Sequence, residues 1–417
     1  LIGLEGWEGV VASVSPGSDL VEGEDTQLRG EKTIEADQFV SKFDGSGEMT
    51  AIEFFGGKRP VTVELKGDTP RTVEARSGRL NLAEGGGAES LELYGSIRLE
   101  EKSDLGRAMH AERLVVTIDQ QTGEATSAVF DGNVRYSDTK NEARSERIFY
   151  DIREETVTLS SVPGAAPTIS SGPQRVSAEQ IVVEPGGGVL RASGRVSTRI
   201  SDAEGTSIPS ETNLFPKSAA IFVNSDSLAI RERDGFASFS GDVRAWQGNN
   251  TLFADSLQIR SNGEMIDAEG NVRTILENTQ DPKGEPIRSR SDRLEARRAE
   301  NEIDLIDDVM IESEGRSLGA DQARFIFGSD QQLERVVATG SLSLKEAATG
   351  RRGSGEKAVY ELAEDTILIE GSPAEIREPR GTVRGQQIVL DLGRNRVDVL
   401  QGDSPTEATY NAESGVR

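Results

Sequence analysis

The sequence predicts an all-β fold built from stacked repeats of about thirty residues, and three observations carry that prediction. The first is a recurring phrase. Gly132-Asn133-Val134-Arg135 returns as Gly241-Asp242-Val243-Arg244 and as Gly270-Asn271-Val272-Arg273, with a looser copy at Gly95-Ser96-Ile97-Arg98 and weaker ones opening at Gly194, Gly340 and Gly371. The second is alternation with period two: Leu114, Val116 and Ile118 share one face of a segment whose other face carries Val115 and Thr117. The third is turn chemistry between such segments, as at Asp131-Gly132, Asn262-Gly263 and Glu269-Gly270. A unit of that size cannot bury a core alone, so units stack and share one interior.

The elements follow in order along the chain. Each repeat opens on alanine and an acid that lead into an alternating strand: Ala111-Glu112, Ala178-Glu179 and Ala254-Asp255 are the clearest, and drifted copies begin at Ala36, Ala143, Ser291, Ala320 and Gly385. A turn and a second strand such as Met265 to Ala268 come next, then the Gly-x-Val-Arg strand. Ile148 with Tyr150, Ile181 with Val183, Leu257 with Ile259, and Ile388 with Leu390 keep the two-residue period. Arg290 to Ala299 is rich in helix formers, yet Leu294 and Ala296 fit the strand frame, so almost no helix is expected. Three polar stretches rich in proline, glycine or serine read as loops: Ser161 to Arg175, Ser201 to Lys217 and Asn278 to Arg288.

Composition narrows the function. The chain carries 47 basic and 72 acidic residues, for a net charge of −25, a field that repels nucleic-acid backbones and anionic bilayers alike. No apolar run approaches the roughly 18 residues needed to cross a bilayer as a helix. The chain opens on Leu1 without a basic or apolar leader, and a removed signal peptide or anchor helix is one expectation for its start. With no cysteine and His110 as the single histidine, neither a histidine triad nor a thiolate or imidazole metal cluster is expected, and His110 reads as a surface residue near a turn. Gly350 to Lys357 approaches a phosphate-binding loop. Glu356 stands where lysine is needed and a strand-like run follows, so it reads as a hairpin loop. Asp307-Asp308 could hold calcium only loosely, without the spacing of a calcium hand. The expectation is a protein that is not an enzyme and needs no cofactor or metal.

Glycine and the small residue of each repeat leave room for a bend, as a chain turning from one sheet to a facing sheet requires. Valine then points inward and arginine outward. Arg98, Arg135, Arg244 and Arg273 are expected in a solvent-facing column beside acids of neighbouring strands, either as a plain charged face or as a column that binds headgroups. The inward set is Leu114, Val134, Tyr136, Ile148, Ile181, Phe239, Val243, Leu257, Ile259, Val272, Phe325 and Leu342. It forms either a filled core or an apolar groove.

At 240–259 the run SGDVRAWQGNNTLFADSLQI, with its Gly-Asp-Val, its Gln-Gly turn and its Ala-Asp opening, resembles the OstA-like periplasmic proteins of lipopolysaccharide transport, the Lpt bridge family. The resemblance extends weakly from about Ala36 to Gly402 and is sharpest at 111–160 and 237–275. It implies an antiparallel β-jellyroll rolled like a half-open taco whose interior takes acyl chains, so the inward residues become a lipid groove. The chain is longer than one such domain. It is expected to hold one module at 1–200, a linker at 201–217 and a second module at 218–417, the first similar to the membrane-anchored Lpt component and the second to the soluble one. Implied partners are lipopolysaccharide or another acylated lipid, and other Lpt components or further copies joined end to end by edge strands around Ala36 to Phe39 and Gln387 to Leu400. Nucleic acid is not among them. The implied location is the periplasm, with inner-membrane anchoring through a segment absent from this chain as a variant. The competing reading is a parallel β-helix that binds or cleaves an extracellular polysaccharide, and strand direction separates the two.

Overall fold

The computed structural model of the chain describes residues 10–14, 32–65, 70–102, 106–172, 174–184, 188–201, 214–215, 220–277, 284–329, 332–400 and 406–410. Among these the chain forms 29 strands and three one-turn 3-10 helices, and every described ladder is antiparallel. A parallel β-helix is thereby ruled out. Most of the expected linker at 201–217 lies outside the described residues, as does the start of the loop at 278–288. The chain divides into two compact units, Leu1–Val196 and Ser197–Arg417.

The second unit shows the architecture most simply. Eleven consecutive strands run up and down from Ile221–Arg231 to Gly381–Asp391, each hydrogen-bonded to the next. Every one of these ladders slips register near its middle, for example between Ser240 and Val243 and between Glu269 and Val272. The slip is a bulge that bends the strand. Each long strand therefore contributes one half to one wall and the other half to a second wall. At its end the walls separate: Arg396–Leu400 continues one and Glu407–Tyr410 the other.

The first unit starts and finishes with separate halves. Gln38–Phe43, Met49–Phe55 and Ser77–Leu82 build one wall, while Val10–Val14, Lys32–Ala36, Val61–Leu65 and Arg71–Ala75 build the other. Both walls merge on Ala88–Glu101, whose first half pairs with Ser77–Leu82 and whose second half pairs with Arg71–Ala75. Long bent strands follow at Ala108–Ile118, Ala125–Ser137 and Asn141–Asp151. The stretch expected to be a loop at 161–175 instead holds the strand Thr168–Ser171 and the start of Gln174–Ser177. Between Pro167 and Gly172 a single apolar residue, Ile169, stands among three polar ones and gives no alternating apolar signal, which is why the sequence reads as loop.

The corners explain the recurring phrase. At Gly132-Asn133, Gly241-Asp242 and Gly270-Asn271 both residues have positive φ, 82° and 45°, 78° and 43°, 77° and 50°. Glycine takes that conformation freely, and asparagine or aspartate tolerates it best among the rest. The acid of the preceding strand packs over the glycine. A β-carbon at Gly270 would lie 2.3 Å from Asp255 Oδ2, and one at Gly241 equally close to Asp226. Asn271 Nδ2 donates to Asp255 Oδ2 at 2.9 Å, and Ser341 N–H donates to Asp321 Oδ2 at 3.0 Å. The Ala-Asp opening and the Gly-x-Val-Arg phrase are thus two sides of one corner. Serine can replace the alanine: Ser145, Ser225 and Ser291 each donate to the carbonyl two residues ahead. The corner near Ala143 accordingly falls at Ser145-Glu146.

Candidate functional site

Bent strands with a single layer per wall can bury apolar side chains only against the facing wall, so the interior is the place to look for a site. Inward residues line up across the ladders. In the second unit one row runs Leu228, Phe239, Leu257, Ala268, Leu294, Leu305, Ala323, Ala338, Ala358, Ile369 and Ile388, each directly opposite the next, and all are buried. At about 4.8 Å per strand, eleven strands make an apolar strip of roughly 50 Å. In the first unit Leu93, Leu114, Phe130, Ile148, Leu159, Ile181 and Ala192 form the equivalent row.

The twelve inward residues read from the sequence fall in this interior, and all but Tyr136 are buried. Leu114, Ile148 and Ile181 share the row of the first unit, while Phe239 and Leu257 share that of the second. Ile259 and Phe325 belong to a second row one step toward the strand ends. Val134, Val243, Val272 and Leu342 follow the corners. Tyr136 is half-buried, with its hydroxyl donating to Asp138 Oδ2 at 2.7 Å. Burial and that carboxylate hold its phenol protonated well beyond the ordinary range. Sequence reading missed Leu93, Phe130, Leu159 and Leu294, although the run Ala128-Val129-Phe130 carries the same alternation.

Between Ile221 and Asp391 every described ladder joins halves of the same wall, and the strands cross between walls only at the corners. Away from the corner line, apolar side chains hold the walls together. A hydroxyl pair interrupts them, Thr274 with Ser289 at 2.6 Å, buried and mutually satisfied.

The outer face differs from expectation in one respect. Arg98, Arg135, Arg244 and Arg273 are exposed, but among the described residues only Arg98 of these four meets a carboxylate, with its Nε 2.9 Å from Glu100. Arg244 lies over Trp246 at 4.9 Å and faces Phe253 at 5.7 Å, and Arg273 lies over the same Phe253 at 5.1 Å. Phe222 stacks on Trp246 with centroids 5.4 Å apart. These are cation–π contacts where ion pairs were expected.

His110 is exposed within strand Ala108–Ile118. The phosphate-loop lookalike is no loop either. It lies in strand Arg351–Glu361, where Gly353 makes room for Ile376 and Ile369 of the next strand. Asp307-Asp308 is a corner, with φ of 64° and 48°. Among the described residues no group of three or more His, Cys, Asp or Glu side chains is placed to hold a metal, and no helix is long and apolar enough to cross a membrane.

Two walls bent along a line of corner bulges around a continuous apolar strip define a stacked antiparallel β-jellyroll. Residues 222–325 match the family model of LptA/(LptD N-terminal domain) LPS transport protein, so this stretch is similar to the domains of that family. Among solved structures the chain is similar to LptH, the LptA-homologous periplasmic component of the conserved lipopolysaccharide transport device of Pseudomonas aeruginosa. The identity is 23%, over 27% of this chain and 76% of that one, with a TM-score of 0.24. No curated protein matches the chain.

Proposed function

We propose that this chain is a periplasmic carrier or bridge component that shields the acyl chains of lipopolysaccharide between its two walls on the way to the outer membrane. One observation carries the reading: the walls of the second unit are tied by backbone only along the corner line, around an unbroken apolar strip. Parting them elsewhere breaks side-chain contacts and no ladder. An inserted acyl chain restores those contacts with its own methylenes and gains about 0.8 kcal/mol for each one removed from water. Rows of Leu, Ile, Ala and Phe offer similar surroundings at every strand, which favours sliding over a single deep trap. The binding needs no catalytic step and no cofactor. The two compact units support two OstA-like modules, at 1–200 and 218–417 with a linker between, and the open ends of the walls support lengthening by partners that add strands.

The test is site-specific photo-crosslinking in cells. A photoreactive residue at Leu257 or Ile259 captures lipopolysaccharide or another acylated lipid, while one at the outward Arg244 captures much less. Equal capture on both faces, or none from the inward pair, overturns the proposal.

A further inference from the structure

The stretch that mimics a phosphate loop is left unused by the carrier reading. Arg351, Gly353 and Gly355 alternate with the outward Arg352 and Ser354 along strand Arg351–Glu361, so they share its inward face. This half of the strand pairs with Leu342 to Glu346 and with Glu375 to Arg377, which places it in the wall that Glu407–Tyr410 continues. Ile369 lies in the other wall, the one that Arg396–Leu400 continues. A β-carbon at Gly353 would stand 3.2 Å from Ile369 Cδ1, and one at Gly355 would stand 2.7 Å from Ile369 Cγ2. Two bare inward positions on one strand thus let the facing wall close onto its backbone.

At the rim beyond them Arg351, only 3% exposed, crosses from one wall to the other. On its own wall it donates to Glu378 Oε1 at 2.8 Å and to Glu346 Oε2 at 3.1 Å, and its backbone N–H donates to Thr349 Oγ1 at 3.2 Å. Its Nη2 donates at 2.9 Å to Asn395 Oδ1, which stands in the turn 392–395 at the rim of the other wall. That turn is well defined: Asn395 has a φ of 50° and its N–H donates to the Leu392 carbonyl at 3.3 Å. The ion pairs Arg324–Asp304, Arg335–Glu361 and Lys357–Glu370, by contrast, each stay within a single wall.

We propose that this strand is a gate across the apolar interior of the second unit, with the glycines drawing the walls together and the Arg351–Asn395 bond latching their rims. Opening the latch breaks no ladder, so the rims part there while each wall stays intact. Asn395 directly precedes the edge strand Arg396–Leu400, so a movement of that edge carries the latch with it. A closed gate stops a sliding acyl chain short of the end of the unit. That consequence rests on the carrier reading, whereas the gate itself does not.

The chain has no cysteine, so a single introduced thiol reports alone in the full chain. Leu344→Cys puts one at a buried position directly opposite Gly353, and Ile266→Cys puts one at a buried position farther along the strip. The rate of alkylation by a small maleimide reads how often each position opens. Asn395→Gly removes the acceptor and keeps the turn, since glycine takes a positive φ freely. It speeds alkylation at 344 at least about tenfold, as loss of a hydrogen bond to a charged group requires, and leaves the rate at 266 unchanged. Asn395→Asp supplies an acceptor again and returns the rate at 344 to that of the parent. No acceleration at 344, or equal acceleration at both positions, overturns the gate. None of these rates involves lipid, so a failure of Leu257 to capture any would end the carrier reading and leave the gate standing.

Discussion

A single corner holds the logic of the fold at the scale of one residue. Gly270 sits at φ 77° beneath Asp255, and a β-carbon there would lie 2.8 Å from that residue's own β-carbon. Gly270→Ala is therefore expected to lower stability by about 1–3 kcal/mol, combining a left-handed penalty with the clash. Asp307 occupies the equivalent corner position at φ 64° without being glycine. Asp307→Gly relieves a left-handed cost of about 1–2 kcal/mol and adds up to about 1 kcal/mol of unfolded-state entropy, so it raises stability by about 0.5 kcal/mol. Urea unfolding of the full chain reads both, and a loss of stability in both variants would remove the corner explanation. The glycine phrase was legible in the sequence because its members are adjacent. Its coupling to Asp255 was not, because the two meet across a ladder and one-dimensional spacing carries no sign of which strands pair.

Strands were legible wherever apolar residues alternate, and that covers the long bent strands of both units other than Arg351–Glu361. Two kinds of element escaped. Thr168–Ser171 is too polar and too short to show a period. Arg351–Glu361 carries glycines that mimic a phosphate loop but serve close approach, since a β-carbon at Gly353 would sit 2.9 Å from Ile376 Cδ1. Nor does composition reveal that Arg351 is buried, because an arginine at a strand start ordinarily faces water. It donates to Glu378 Oε1 at 2.8 Å, Glu346 Oε2 at 3.1 Å and Asn395 Oδ1 at 2.9 Å, joining the ends of successive strands and the turn before Arg396–Leu400. Arg351 is buried while Glu346 and Glu378 are only partly so, and removing it takes charged hydrogen bonds from both carboxylates and leaves a gap where the arginine packed. Arg351→Ala should cost about 3 kcal/mol, and Arg352→Ala, one residue along on the exposed face, less than about 0.5 kcal/mol. Similar losses in the two variants, measured by chemical unfolding, would mean that the buried network contributes nothing particular.

At the scale of the molecule, the open ends of the walls decide whether this chain works alone or in a row. Wall-forming rows were readable as the inward set, and the last edge was readable only in part. The expected terminal surface, Gln387 to Leu400, contains the one-sided strand Arg396–Leu400, but its first part is interior, since Val389 is paired on both sides, with Leu368 and with Asp398. The strand Gly381–Asp391 is interior because Arg396–Leu400 folds back over it, a return that a four-residue turn at 392–395 permits and that hydropathy does not announce. Among the described residues Arg396–Leu400 pairs on one side only, leaving a row of N–H and C=O groups on the other. Successive residues of a strand point their N–H groups to opposite sides, so Val397 and Asp398 cannot both serve the inner ladder. Proline at one of these two positions removes an internal hydrogen bond and lowers stability. Proline at the other leaves the melting temperature unchanged and blocks the addition of a further strand. Sedimentation over a range of concentrations, alone and with other Lpt components, should therefore show association lost in the second variant while its fold persists. A wild-type chain that stays monomeric at every concentration and binds none of those components would leave the interior as a stand-alone lipid site and end the bridge reading.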